Sequence, residues 1–206
     1  MKSLDTFIAL NRFGLGPAPG EAENASDDPR GWIKAQIEKK QKPVAAFVGL
    51  RSAASMNADI HNARLKSPED LRKTTGGLYR AVFRKEQVLR ARHMIGAKQP
   101  VAERLLLFWS NHFTVSLTKR IIGSTIPAYE REAIRPHIFG RFEDMLKAVC
   151  THPTMVAYLD NIISMGPNST AGKRRIAATG TQKTINENLA REILELHTLG
   201  VNGGYT

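Results

Sequence analysis

Apolar residues recur every three to four positions along most of this chain, the spacing of one helix face, and no convincing strand alternation occurs. The best-specified stretch is Thr184 to Gly200, TINENLAREILELHTLG. Thr184 as N-cap with Glu187 three residues on matches a capping box, and Gly200 offers the positive φ that closes a helix. Wrapped at about 100° per residue, Asn188, Arg191, Glu192 and Glu195 share one face. Ile185, Leu189, Ile193 and Leu196 fall on a neighbouring arc that continues to Ala190 and Leu194. Asn186 and His197 project into that apolar arc and need hydrogen-bond partners there. Arg191 is spaced for surface pairs with Glu187 and Glu195.

Earlier segments follow the same period. Leu4, Phe7, Ile8 and Leu10 fit a short opening helix stopped by NRFGLGPAPG, after which the chain reads as loop to Asp28. Asp28-Pro29 predicts an N-cap and first turn, with Trp32, Ile33 and Ile37 as the buried stripe to about Lys40. Residues 44–60 are compatible with helix. Ser67-Pro68 opens a long helix to about Ile95, with a weak point at Gly76-Gly77. Pro100 opens another, in which Leu105, Phe108, Trp109, His112 and Phe113 share the apolar face. Next come a helix to about Ile134, a break where Pro136 biases Arg135 out of helical geometry, and a restart after Gly140. A further helix begins at His152-Pro153 and closes at Asp160-Asn161. Residues 164–184, rich in Gly, Ser and Thr and basic through Lys173, Arg174, Arg175 and Lys183, read as a flexible surface loop. The expected fold is therefore all-α, an irregular multi-helix array or bundle with long loops, in one region spanning residues 1–206.

The blocks NRFGLGP, SNHFT, YEREAIRPHIFGRFEDML, HPTMVAYLDN and NENLAREILELHTLGVNGGYT, in this order, resemble the signature of the bacterial domain-of-unknown-function family 1800. The resemblance runs from Asn11 to the end, apart from the middle of the N-terminal half and the basic 170–184 stretch. It implies an N-terminal portion of a longer domain, since relatives continue beyond the GGYT element. It implies no settled activity. The missing C-terminal portion, or a sulfatase-like protein encoded nearby, is the partner that this context suggests.

Composition narrows the picture modestly. A formal charge of +11 makes an anionic partner worth weighing, and between Arg72 and Arg104 nine Lys or Arg stand against Glu86 and Glu103. No aromatic platform interleaves with these cations, so a solvated helix face is favoured over nucleic-acid binding. The single Cys150, in an apolar helix end, reads as a packed thiol and excludes an internal disulfide. The N-terminus is a poor secretory signal and no apolar run approaches a membrane span, which makes the cytoplasm the default and leaves export with a partner open.

Three function classes compete. The first is a scaffold or partner-binding protein whose charged clusters are structural. The second is an acid/base or metal-assisted enzyme, hydrolytic in the simplest case, drawing on His112, His152, Asp160, Glu192, Glu195 and His197. Two histidines among hydrophobes, His112 and His197, would gain chemical meaning if they met, because imidazole both ligates metals and titrates near neutrality. Glu192 and Glu195 fall on a different face from His197, so one helix does not present all three to one ion. No cofactor is required, and no zinc or P-loop spacing is present. The third class is an anion or nucleic-acid binder using Arg131, Arg135, Lys173, Arg174, Arg175 and Arg191. In a groove, Arg131 or Arg135 would suit bidentate recognition of a carboxylate or phosphate.

Overall fold

A computed structural model describes residues 4–39, 43–166, 168–180 and 185–204. Among the described residues every regular element is helical and no strand occurs. Helix α1 (Leu4–Ile8) passes into a π turn at Ala9–Phe13. Helix α2 (Glu21–Ser26) then forms in a stretch expected to be loop. In α3 (Pro29–Glu38) the Asp28 carboxylate accepts from the Gly31 amide at 2.8 Å, so the Asp-Pro start behaves as its sequence predicts. Gly31 is tied to that cap, because a Cβ there would lie 2.1 Å from Asp28 Oδ2.

The stretch 44–60 divides into a 3-10 turn at Ala45–Phe47 and the start of α4 (Ala53–Lys66), whose cap is Ser52. Ser67 caps α5 (Pro68–Leu78), which continues through a π turn at Tyr79–Phe83 into α6 (Arg84–Ile95). The irregularity begins two residues after Gly76-Gly77, where low helix propensity weakens the regular ladder. Helix α7 (Pro100–His112) follows.

Helix α8 (Ile126–Tyr129) is prolonged by a π turn at Glu130–Ile134 and a 3-10 turn at Arg135–His137. Arg135 keeps helical angles, φ −52° and ψ −43°, contrary to the expected break before Pro136. Its guanidinium is fixed by Glu103 of α7, a tertiary contact that outweighs the local bias. Then come α9 (Phe142–Thr151) and α10 (Pro153–Tyr158); Asp160, with φ 59°, turns the chain into a 3-10 turn at Asn161–Ile163.

The basic stretch 164–184 is not all loop. Ser169 caps α11 (Thr170–Thr179) and Gly180, at φ 65°, ends it. Local capping residues at both ends were the overlooked signal. Helix α12 (Asn188–Glu195) is shorter than the predicted 184–200. The capping role given to Thr184 lies outside the described residues, as does Lys183. Within them the Asn186 side chain takes the Asn188 amide at 2.9 Å. Gly200 has the expected positive φ, 83°, but sits beyond a turn that follows Glu195.

The main core joins α7, α8 with its π turn, α9 and α10 through Leu106, Phe113, Ile134, Met145, Val149 and Met155. Each such side chain contributes about 1.5–3 kcal/mol when removed from water. A smaller cluster, Ala53, Met56, Val82 and Ala128, fastens α4 and the α5–α6 rod to α8. The NRFG turn is bolted on by Arg104 of α7, which donates to the carbonyls of Gly14 and Asn11 at 2.8 Å each. Cys150 is half-buried against the main core, and burial pushes its thiol pKa up, as a packed thiol should behave.

Candidate functional site

Polar chemistry inside this fold gathers in two places. The first is a set of four glutamates on α6, α7 and the Glu130–Ile134 turn, each met by a cation or backbone donor from another element. Glu86 lies 3.1 Å from Arg131 Nε. Burial raises the Glu86 pKa, and the Arg131 charge and hydrogen bond only partly oppose it. Arg131 also donates to the Arg51 carbonyl at 2.8 Å, tying the start of α4 to the same point.

Glu103 is gripped by both terminal nitrogens of Arg135, and His93 Nε2 reaches the same carboxylate at 3.0 Å. Burial alone would raise its pKa; the Arg135 hydrogen bonds and charge, helped by His93, outweigh that and hold it below the usual carboxylate value. Arg90 meets both Glu130 oxygens through Nε at 2.9 Å, and Ser110 adds a donor at 3.1 Å. Glu132 takes the Ala53 amide and His152 Nε2, both at 3.1 Å. Since His152 Nδ1 accepts from the Thr154 amide, the ring proton lies on Nε2 and points at Glu132. Burial lowers the His152 pKa despite that carboxylate.

Two clefts flank this network. One of about 210 Å³ touches Glu86, Arg90, Ser110, Glu130 and Arg131. The other, about 770 Å³, touches His93, Glu103, Arg131 and Arg135 beside the Ala45–Phe47 turn. Arg135 lies 5.2 Å above the Phe47 ring, a cation–π contact on the cleft wall.

The second place is the contact of α7 with the turn after α12. His112 and His197 meet there, with ring centres 6.5 Å apart. His112 Nε2 donates to the His197 carbonyl at 3.2 Å. Phe113 packs edge-on against both rings, and Trp109 against His112. His197 is buried, its Nδ1 has no protein partner, and burial, then the nearby His112, lowers its pKa. The buried Tyr129 hydroxyl donates to the Phe113 carbonyl at 2.8 Å, and its pKa is pushed up by burial.

The remaining predicted residues are elsewhere. Asp160 pairs with Lys119 at 2.6 Å, and its carbonyl accepts from Asn186. Glu192 and Glu195 are half-buried on α12. Among the described residues no three His, Cys, Asp or Glu side chains converge where a metal ion would sit. Of the proposed anion binders, Arg131 and Arg135 already hold carboxylates of this chain. Lys173 and Arg174 are exposed on α11, and Arg191 donates to Asn188 Oδ1 at 3.4 Å. The sequence reading missed Glu86 and Glu103 as buried groups and Arg90 as a half-buried one. Their charge placed them on a solvated face, and only their partners, 32 to 45 residues away, bury them.

No helix among the described residues is long and apolar enough to cross a membrane. No curated protein and no solved structure matches the chain. The family described as a protein of unknown function, DUF1800, matches residues 8–206, nearly the whole length, and the chain belongs to that family.

Proposed function

We propose that this chain is a helical scaffold whose polar clusters hold its elements together and whose task is to engage a partner protein. The observation that carries this reading is the pairing of Glu86, Glu103, Glu130 and Glu132 with groups on distant segments. Such pairs join elements and leave little free valence for catalysis. Support for a partner comes from the apolar side chains around α12. Ile185, Leu196, Leu199 and Val201 are each at least 58% exposed. A protein encoded nearby, of the sulfatase-like kind, or a further segment of the same polypeptide fits this role. A photo-reactive amino acid placed at Leu199 in the producing cells tests it. One dominant protein adduct, absent when the probe sits at Lys147, is expected; a scatter of weak adducts would contradict the reading.

The meeting of His112 and His197 favours a second reading, an acid/base site at that contact. Loss of a measurable turnover in His112→Gln and His197→Gln variants, with folding intact, would promote it over the scaffold.

A further inference from the structure

We propose that the solvent side of the α5–α6 rod, from Arg72 to Arg92, binds single-stranded nucleic acid, with its cations on the phosphates and the Tyr79 and Phe83 rings against the bases. Charge is the first support. Arg72, Arg80, Arg84, Lys85 and Arg92 are all exposed, and none has an ion pair among the described residues. No exposed carboxylate shares that stretch, because its one acid, Glu86, is buried and held by Arg131. The acids at the start of the rod are also engaged, Glu69 by Lys73 and Asp70 by Ser67. An uncompensated run of cations along one rod complements a polyanion.

Helix geometry brings these cations to one side. Arg72, Arg80, Arg84 and Arg92 stand multiples of four residues apart, and four residues rise about 6 Å along a helix axis. In a regular α-helix such positions also drift round the axis by about 40° per step. The π turn at Tyr79–Phe83 winds more loosely and reduces that drift, so Arg80 and Arg84 both stay in solvent while Val82 and Glu86 stay buried. The same turn carries the second support. Tyr79 and Phe83, at its two ends, stack with ring centres 5.0 Å apart and planes 13° from parallel, and both remain half-exposed. This corrects the expectation that no aromatic platform accompanies the cations. Aromatic surface beside arginines suits unstacked bases, which a duplex keeps within its own stack and a lipid headgroup lacks.

This assignment is independent of the scaffold reading and is tested on the whole chain by fluorescence anisotropy. The probe is a fluorescein-labelled oligothymidylate long enough to span the rod. Unlabelled competitors are the same oligothymidylate, an abasic oligomer of equal length, an equally long duplex and phosphatidylglycerol vesicles. Saturable binding is expected, with oligothymidylate displacing the probe about tenfold more effectively than the abasic oligomer. Log affinity should fall against log salt with a slope of about −3.5, as five contacted phosphates require. Combining Arg80→Ala with Arg84→Ala should make that slope shallower by about 1.4. Tyr79→Leu should weaken oligothymidylate about tenfold and leave the abasic oligomer unchanged. Absence of binding, a flat salt dependence, equal competition by the abasic oligomer, or stronger competition by duplex or vesicles would overturn the assignment. So would an unchanged slope in the double arginine variant. Both of its substituted side chains are exposed, so that result decides the matter even if Tyr79→Leu impairs folding.

Discussion

The glutamate–arginine centre and the histidine contact beside α12 are built from similar residues to opposite ends. In the centre, Glu86, Glu103, Glu130 and Glu132 each bridge separate elements, and each carboxylate has a donor within hydrogen-bonding distance. At the histidine contact, one hydrogen bond to a carbonyl joins the two sides, His197 Nδ1 lacks a protein partner, and Leu196 and Leu199 face outward. The comparison teaches that a buried polar group becomes a structural joint when its partner comes from another element. Where the partner is missing, the same burial leaves an attachment that pH or a binding protein is able to loosen.

Breaking a central joint should have the largest effect. Glu103→Ala strands the Arg135 guanidinium in a half-dry site and is expected to lower unfolding free energy by about 3–5 kcal/mol. Chemical denaturation measures this, and a loss under about 1 kcal/mol would remove the distinction between the two regions. Next in size, Arg104→Ala frees the NRFG turn from two charge-assisted bonds and should cost about 1.5–3 kcal/mol. Amide exchange should then quicken at Asn11 to Gly16 before it does in α9.

Acidification should act more gently, and mainly through the histidines. His152 and His197 have folded pKa values below the unfolded value of about 6.5. The unfolded chain therefore binds more protons, and stability rises with pH across that window. It is fully present above the unfolded pKa and is lost as pH falls through it toward the folded values. A His197→Phe variant should flatten this slope between pH 7 and 5; an unchanged slope would assign the effect to His152. Glu103 adds stability above the unfolded carboxylate pKa that is lost as pH falls through its own depressed value. The smallest effect is expected at Lys147→Ala, which removes a fully solvated i,i+4 partner of Glu143 and should leave the melting midpoint unmoved.

Local signals were legible in the sequence where they had a local cause. Asp28-Pro29, Ser67-Pro68, Pro100 and His152-Pro153 start helices where they should, because cap and proline geometry depend on near neighbours alone. The apolar placement of His112 and His197 likewise followed from helical periodicity, and the two do meet. What could not be read was pairing across the chain. Arg135 overrides the bias of Pro136 because Glu103, 32 residues earlier, holds its side chain. The same ignorance of partners put Glu86 and Arg90 in water. Composition misled in a different way at 170–179, where Ser169 and Gly180 frame a helix despite the small polar residues around it.

The central claim is that the interior carboxylate–arginine pairs are joints of the fold, and a double-mutant cycle on Glu103 and Arg135 tests it most directly. Glu103→Met and Arg135→Met should each destabilise strongly, and the double variant, which leaves no stranded charge, should lie closer to the parent than either single one. Single variants whose effects are small, or which simply add in the double variant, would contradict the claim.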